Sequence, residues 1–238
     1  MEFVNKKNNK IVFKAKIEES LANAIRRYIG EIPILAVDEV EISKNDSPLY
    51  DETISHRIGL IPIKTDKVVT EKTKGQLKLS IKQDGIVNSG ELKGDVDIVY
   101  DNIPITILTK GQELELAASV KSGKGNEHAR FSPGLMFYRN MAEITMGREF
   151  IGEVKKVCPN NEIKEKGNKI IVIDDKEKGI CDICEGICEG EKKKSETNYS
   201  DELIVGIEPF GQIDAREIFK KSINVLRKDL TEVSKKIK

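Results

Sequence analysis

LANAIRRYIGEIPILAVDEVEISKNDSPLYDETISHRIGLIPI, residues 21–63, holds three elements in one continuous stretch. Leu21, Ala24, Ile25, Tyr28 and Ile29 recur at i, i+3, i+4, i+7 and i+8, which lays one apolar face along a helix. Ser20 is placed to cap the start of that helix, Gly30 to close its end, and Pro33 to stop its continuation. ILAVDEVEI (34–42) is rich in β-branched residues and predicts a strand. SKNDSP (43–48) is a turn-rich break. DETISHRIG then predicts a short helix between a cap at Asp51 and Gly59, and LIPIK an extended piece whose Pro62 favours a sheet edge.

Working outward, IVFKAKI (11–17) alternates apolar and polar residues as a half-buried strand does. The span 66–125 reads as β-rich, with QLKLSIK, DVDIVY and ELELAASV separated by Gly, Asn and Asp turns. GKGNEHARFSPG (123–134) is a polar loop, and the mixed residues 141–157 read as strand. KIIVID (169–174) and ELIVGIEPFG, which ends at Pro209 and Gly211, are further strands. The last element is a helix. Asp214 and Glu217 have capping-box spacing, and Ala215, Ile218, Phe219, Ser222, Val225, Leu226, Leu230, Val233 and Ile237 form one stripe. The pattern predicts an α+β chain with an amphipathic helix near each end.

The 238 residues carry 40 Lys plus Arg against 40 Asp plus Glu. A net charge of zero argues against a free-standing nucleic-acid binder, which needs a basic surface, and favours association. MEFVNKKNNKIVF lacks the apolar core of a signal peptide, and no apolar run approaches the roughly 18 residues of a membrane span. The expectation is a cytoplasmic protein without a membrane partner. His56 and His128 stand alone, GKG at 123–125 lacks P-loop spacing, and neither G-x-S-x-G nor H-E-x-x-H occurs. Nothing points to catalysis by this chain.

All four cysteines fall between 157 and 198, in a segment with its own lysine-rich composition. Cys181, Cys184 and Cys188 are spaced C-x2-C-x3-C, with Cys158 followed by Pro159 upstream. A tight group plus a remote Cys-Pro resembles half of a ferredoxin site, where short spacing turns backbone N–H groups toward the cluster sulfurs. The second interval of the triplet is one residue longer than usual, with Ile187 in the ligand position. A [4Fe–4S] cluster is the first expectation, [3Fe–4S] the reading if one cysteine is not a ligand, and zinc the alternative. Metal-free thiols remain the fourth reading.

The order NAIRRY, IPILAVDEVEI, YDETISHRIGLIPI is similar to the signature of the alpha-like RNA polymerase subunits, above all the archaeal D subunits, counterparts of bacterial alpha and of the third-largest eukaryotic subunit. GKGNEHARFSPG and the final helix fit the same family. The resemblance implies a discontinuous dimerisation domain, 1–45 with 199–238, an inserted β-rich domain, 46–156, and a ferredoxin-like module, 157–198. It implies a non-catalytic assembly subunit of DNA-dependent RNA polymerase. That subunit pairs with the small alpha-like subunit L, docks the large, catalytic B-type subunit, neighbours the small subunits N and P, and meets DNA only through the holoenzyme. Leu226 and Leu230 would lie in the dimer interface. Arg27, with Arg26 beside it, would contact the large catalytic subunit, and Glu52, His56 and Arg57 are further contact candidates. The competing reading is an iron–sulfur electron carrier with an extra domain. It uses about a fifth of the chain and leaves residues 21–63 without a role.

Overall fold

The computed structural model describes residues 2–7, 10–65, 69–70, 72–159, 161–176 and 179–237. Small parts of the spans 1–45, 66–125, 157–198 and 199–238 therefore lie outside the described residues. The chain opens with strands β1 (Glu2–Lys7) and β2 (Lys10–Ala15), helix α1 (Glu19–Tyr28), strand β3 (Ile34–Asn45) and helix α2 (Asp51–Gly59). Then come β4 (Lys74–Ile81), β5 (Gly85–Asn88), β6 (Lys93–Gly94), β7 (Pro104–Leu108), β8 (Leu114–Gly123) and β9 (Gly134–Gly147). The remainder is α3 (Ile151–Val157), β10 (Ile163–Lys166), β11 (Lys169–Asp174), α4 (Cys181–Gly190), β12 (Glu196–Pro209) and α5 (Ala215–Lys236). The chain is α+β, and it divides into two units.

The first unit comprises 1–23 and 136–207. A six-stranded sheet in the order β1-β2-β12-β9-β11-β10 runs through it. β2 lies antiparallel to β12 with Phe13 opposite Val205, and β9 antiparallel to β11 with Ile144 opposite Val172. Ile144, Met146, Ile170 and Val172 of the sheet pack with Phe150, Val154, Cys158, Ile180, Cys184 and Cys188 into one apolar cluster. Residues 151–157 were expected as strand and are helix α3. Phe150 and Val154 are both buried at i, i+4, a helical interval that the glycine and the single charge between them, Gly152 and Glu153, obscure.

The second unit comprises 24–135 and 208–238. Its main sheet has the order β3-β8-β4-β6, and β5 pairs with β7 beside it. Leu79 faces Leu116 and Leu77 faces Ala118 across β4 and β8. Ile54 and Ile58 of α2 pack with these leucines and with Leu35 and Val37 of β3. DVDIVY is not a strand, since only Ile98 bridges, to Ile63. The pairing falls instead to β5 and to β7, whose first residue is Pro104, a position where a missing N–H is harmless. Gly211 takes φ 108°, a left-handed value that suits glycine, just ahead of α5.

Three expected caps are absent. α1 starts at Glu19, so Ser20 lies inside it. Asp51 is the first helical residue of α2 rather than its cap, and accepts instead from Asn45 Nδ2 at 2.7 Å. Asp214 sits at the N-cap of α5 without a side-chain bond, and Glu217 pairs with Lys220 at 3.0 Å. The helices form through their buried faces, and the caps are incidental to them.

Candidate assembly surface and cysteine module

The buried face of α1 is Ala22 and Ile25, continued by Ile29 in the turn that follows, while Leu21 is exposed. Arg26 and Arg27 occupy the last turn and are exposed, where cations complement the helix dipole. Next to them Tyr28 meets Asp229 of α5. Desolvation, then the charge and hydrogen bond of Asp229, push the Tyr28 phenol above its ordinary value.

Gly30 closes no left-handed cap. It lies in the 3-10 turn Ile29–Glu31, and its role is proximity. A Cβ on Gly125 would stand 3.1 Å from Gly30 Cα, and Asn126 N–H donates to Gly30 O at 3.4 Å. Asn126 Nδ2 also donates to Glu31, and Lys124 pairs with Glu31 at 3.2 Å. The loop 123–134 is thus laid against the end of α1. Arg130 ties the same loop to β3, donating through Nη1 to Val37 O at 3.0 Å and Asp38 O at 3.1 Å.

α5 changes character along its length. Ala215, Ile218, Ser222 and Leu226 are buried. One turn later the stripe continues without cover: Leu230 is 60% exposed, Val233 53% and Ile237 81%. Ile223, Leu226, Arg227, Leu230, Thr231 and Ser234 line a shallow groove along this half of the helix. The predicted pair is therefore split: Leu226 belongs to the chain's own core, and Leu230 does not. Of the contact candidates on α2, Arg57 is engaged within its unit, donating to Ile105 O at 2.8 Å.

The cysteines are arranged differently from a cluster-binding loop. Cys181, Cys184 and Cys188 lie in α4, and at i, i+3 and i+7 they share one face. Cys184 and Cys188 are buried, as is Cys158, at the C-cap of α3. The backbone N–H of Cys184 is spent on Ile180 O at 2.9 Å, so it cannot face a cluster sulfur. Seven residues of helix separate Cys181 from Cys188 by about 10.5 Å along the axis, whereas thiolates on one zinc ion at about 2.3 Å each lie within about 4 Å of one another. Among the described residues, no group of three or more His, Cys, Asp or Glu side chains is disposed to hold a metal ion. As folded, Cys181 and Cys188 cannot share one zinc ion.

The thiols are also set against ionisation. Burial first, then Asp174, pushes Cys181 up to about 12; burial first, then Cys158 and Asp174, pushes Cys184 up to about 12. Cys158 and Cys188 move in the same direction, again chiefly through burial.

Sequence reasoning missed Asp174, the last residue of β11. It is fully buried, accepts from Arg139 Nη2 at 2.7 Å and from Ile180 N–H at 3.0 Å, and receives the Cys181 thiol at 3.2 Å. The signal was an acidic residue ending an otherwise apolar strand, KIIVID, where a solvated turn is the ordinary reading.

Residues 40–134 match the family described as RNA polymerase Rpb3/RpoA insert domain. The chain is 34% identical over 224 residues to the DNA-directed RNA polymerase subunit Rpo3 of Pyrococcus horikoshii, covering 88% of this chain and 86% of that one. It is 32% identical over 257 residues to the subunit of the same name from Archaeoglobus fulgidus, covering 99% and 96%. The Methanosphaera stadtmanae protein of that name is 28% identical over 253 residues, covering 95% and 94%. These likenesses run through both units and through the cysteine segment. The chain belongs to the archaeal Rpo3, or D, family of DNA-directed RNA polymerase subunits.

Proposed function

We propose that this chain is a scaffold of the polymerase, pairing with the small alpha-like subunit L through the distal half of α5. The observation that carries the reading is the stripe Leu230, Val233 and Ile237, which continues a buried face beyond the reach of the chain's own core. A monomer gains nothing from ordering such a stripe in water, whereas a partner helix laid along it would bury three large side chains. Arg26 and Arg27 stand exposed at the end of α1, and the loop 123–134 braces that end. A rigid mount of this kind suits a guanidinium that forks onto carboxylates or carbonyls of the large catalytic subunit. Subunits N and P are neighbours in this scheme, and DNA is met only through the assembled enzyme. Among the described residues, no helix is long and apolar enough to cross a membrane.

Co-expression of the full chain with the small alpha-like subunit tests the reading. A one-to-one complex that survives size exclusion, and is lost on Leu230→Glu, supports it. Two separate species for the unaltered chain overturn it. The electron-carrier reading is not favoured. The family relationship spans nearly the whole chain, and three of the four thiols that the carrier would need line a packed helix face.

A further inference from the structure

We infer that Cys181 serves as the hydrogen-bond donor that fastens the start of α4 to Asp174, and is not a metal ligand. α4 has no cap of its own, because Ile180 stands at its N-cap without a side-chain bond. The missing acceptor comes from another element. Asp174, at the end of β11, takes the Ile180 N–H at 3.0 Å and the Cys181 thiol at 3.2 Å on the same oxygen, Oδ2. A carboxylate here faces the positive end of the helix dipole. Its other oxygen, Oδ1, is held by Arg139 of β9 at 2.7 Å. Arg139 also donates to Lys176 O and to Asn140 O, so it binds the connection between β11 and α4 as well.

A ligand role would take this arrangement apart. A metal-bound Cys181 is a thiolate and has no proton to give. Its sulfur would become a negative charge beside a buried carboxylate, and Asp174 would lose one of its three donors. The protonated thiol is the form in which the network closes. The C-x2-C-x3-C spacing then has a helical meaning: Cys184 and Cys188 follow Cys181 down the face that packs on Val154, Ile170 and Val172. In this reading Asp174 and Arg139 are positioning residues for the module, and Cys181 is their latch.

The test compares the full chain with Cys181→Ser, Cys181→Ala and Asp174→Asn, reading amide hydrogen exchange across residues 181–190 together with iron and zinc content. A serine hydroxyl donates as the thiol does, and alanine cannot. The inference expects Cys181→Ser to exchange like the unaltered chain and Cys181→Ala to exchange at least about tenfold faster, as loss of a bond to a charged acceptor implies. It expects Asp174→Asn to open the first turn of α4, and chelator treatment to leave exchange unchanged. Equal exchange in the Ser and Ala variants overturns it. So does loss of bound metal with unfolding of the segment in Cys181→Ser, or melting of 181–190 by chelator in the unaltered chain, which keeps the inference testable if a variant fails to fold. None of these outcomes bears on pairing through α5.

Discussion

Leu226 and Leu230 sit on the same face of α5 one turn apart, yet Leu226 is 9% exposed and Leu230 60%. The edge of the chain's own core runs between them. Substitution should separate the two roles. Leu226→Ala is expected to destabilise the isolated chain by about 2–4 kcal/mol, as buried leucines do. Leu230→Ala should leave its unfolding within about 0.5 kcal/mol while weakening association. Denaturant unfolding of the chain alone, beside a binding measurement, reads both.

Gly125 and Gly152 form a second contrast. A Cβ on Gly125 meets the backbone of Gly30 at 3.1 Å and of Ser132 at 3.5 Å, while one on Gly152 meets nothing within 4 Å. Gly125→Ala should cost about 1–2 kcal/mol by forcing the loop off the end of α1. Gly152→Ala, inside α3, should instead stabilise by about 0.5–1 kcal/mol through helix propensity and a less free unfolded chain. Opposite shifts in melting temperature are the expected result.

Asp175 makes the first unit acid-sensitive. Burial works to raise its pKa, but the bond and charge of Lys14, 2.9 Å away, and then Lys176, outweigh that and hold it below the ordinary carboxylate value. A depressed folded value contributes stability above the unfolded pKa of about 3.9 and loses it as pH falls through the folded one. The stability gap between the unaltered chain and Asp175→Asn should therefore be constant above about pH 5 and narrow steadily as pH falls below the unfolded value of about 3.9. Urea titrations across that range would show it.

The thiols behave oppositely. Cys181 and Cys184 are raised to about 12, chiefly by burial. Their contribution is complete below the unfolded thiol value of about 8.5 and is lost as pH rises from there toward 12. At about pH 8 a small alkylating reagent should label the denatured chain quickly and the folded chain far more slowly, since the thiolate is the nucleophile. Mass spectrometry of residues 181–190 follows both rates.

Much of this fold was legible where one apolar period dominates. Residues 34–42, 51–59, 169–174 and the α5 stripe announced their elements because burial on one face requires a fixed repeat. What stayed hidden has physical causes. The stripe of α5 reads the same whether a residue packs inward, as Leu226 does, or stands uncovered, as Leu230 does. C-x2-C-x3-C fits a ligand loop and a helical face alike, and the choice falls to Asp174 and Arg139, which lie seven and 42 residues before Cys181. The loop 123–134 looked merely polar, because the contact of Gly30 with Gly125 joins residues distant in sequence. Pairing of β5 with β7 gave no alternation long enough to count.

The central claim is that the uncovered end of α5 binds the small alpha-like subunit. Co-purification of that subunit with the full chain and with a Leu230→Glu, Val233→Glu variant tests it most directly. The account predicts a stoichiometric complex for the first, and for the second a folded chain, intact by circular dichroism, that retains less than about a hundredth of the affinity, since the lost burial of two large side chains is worth about 3 kcal/mol or more. Undiminished pairing in the double variant would contradict it.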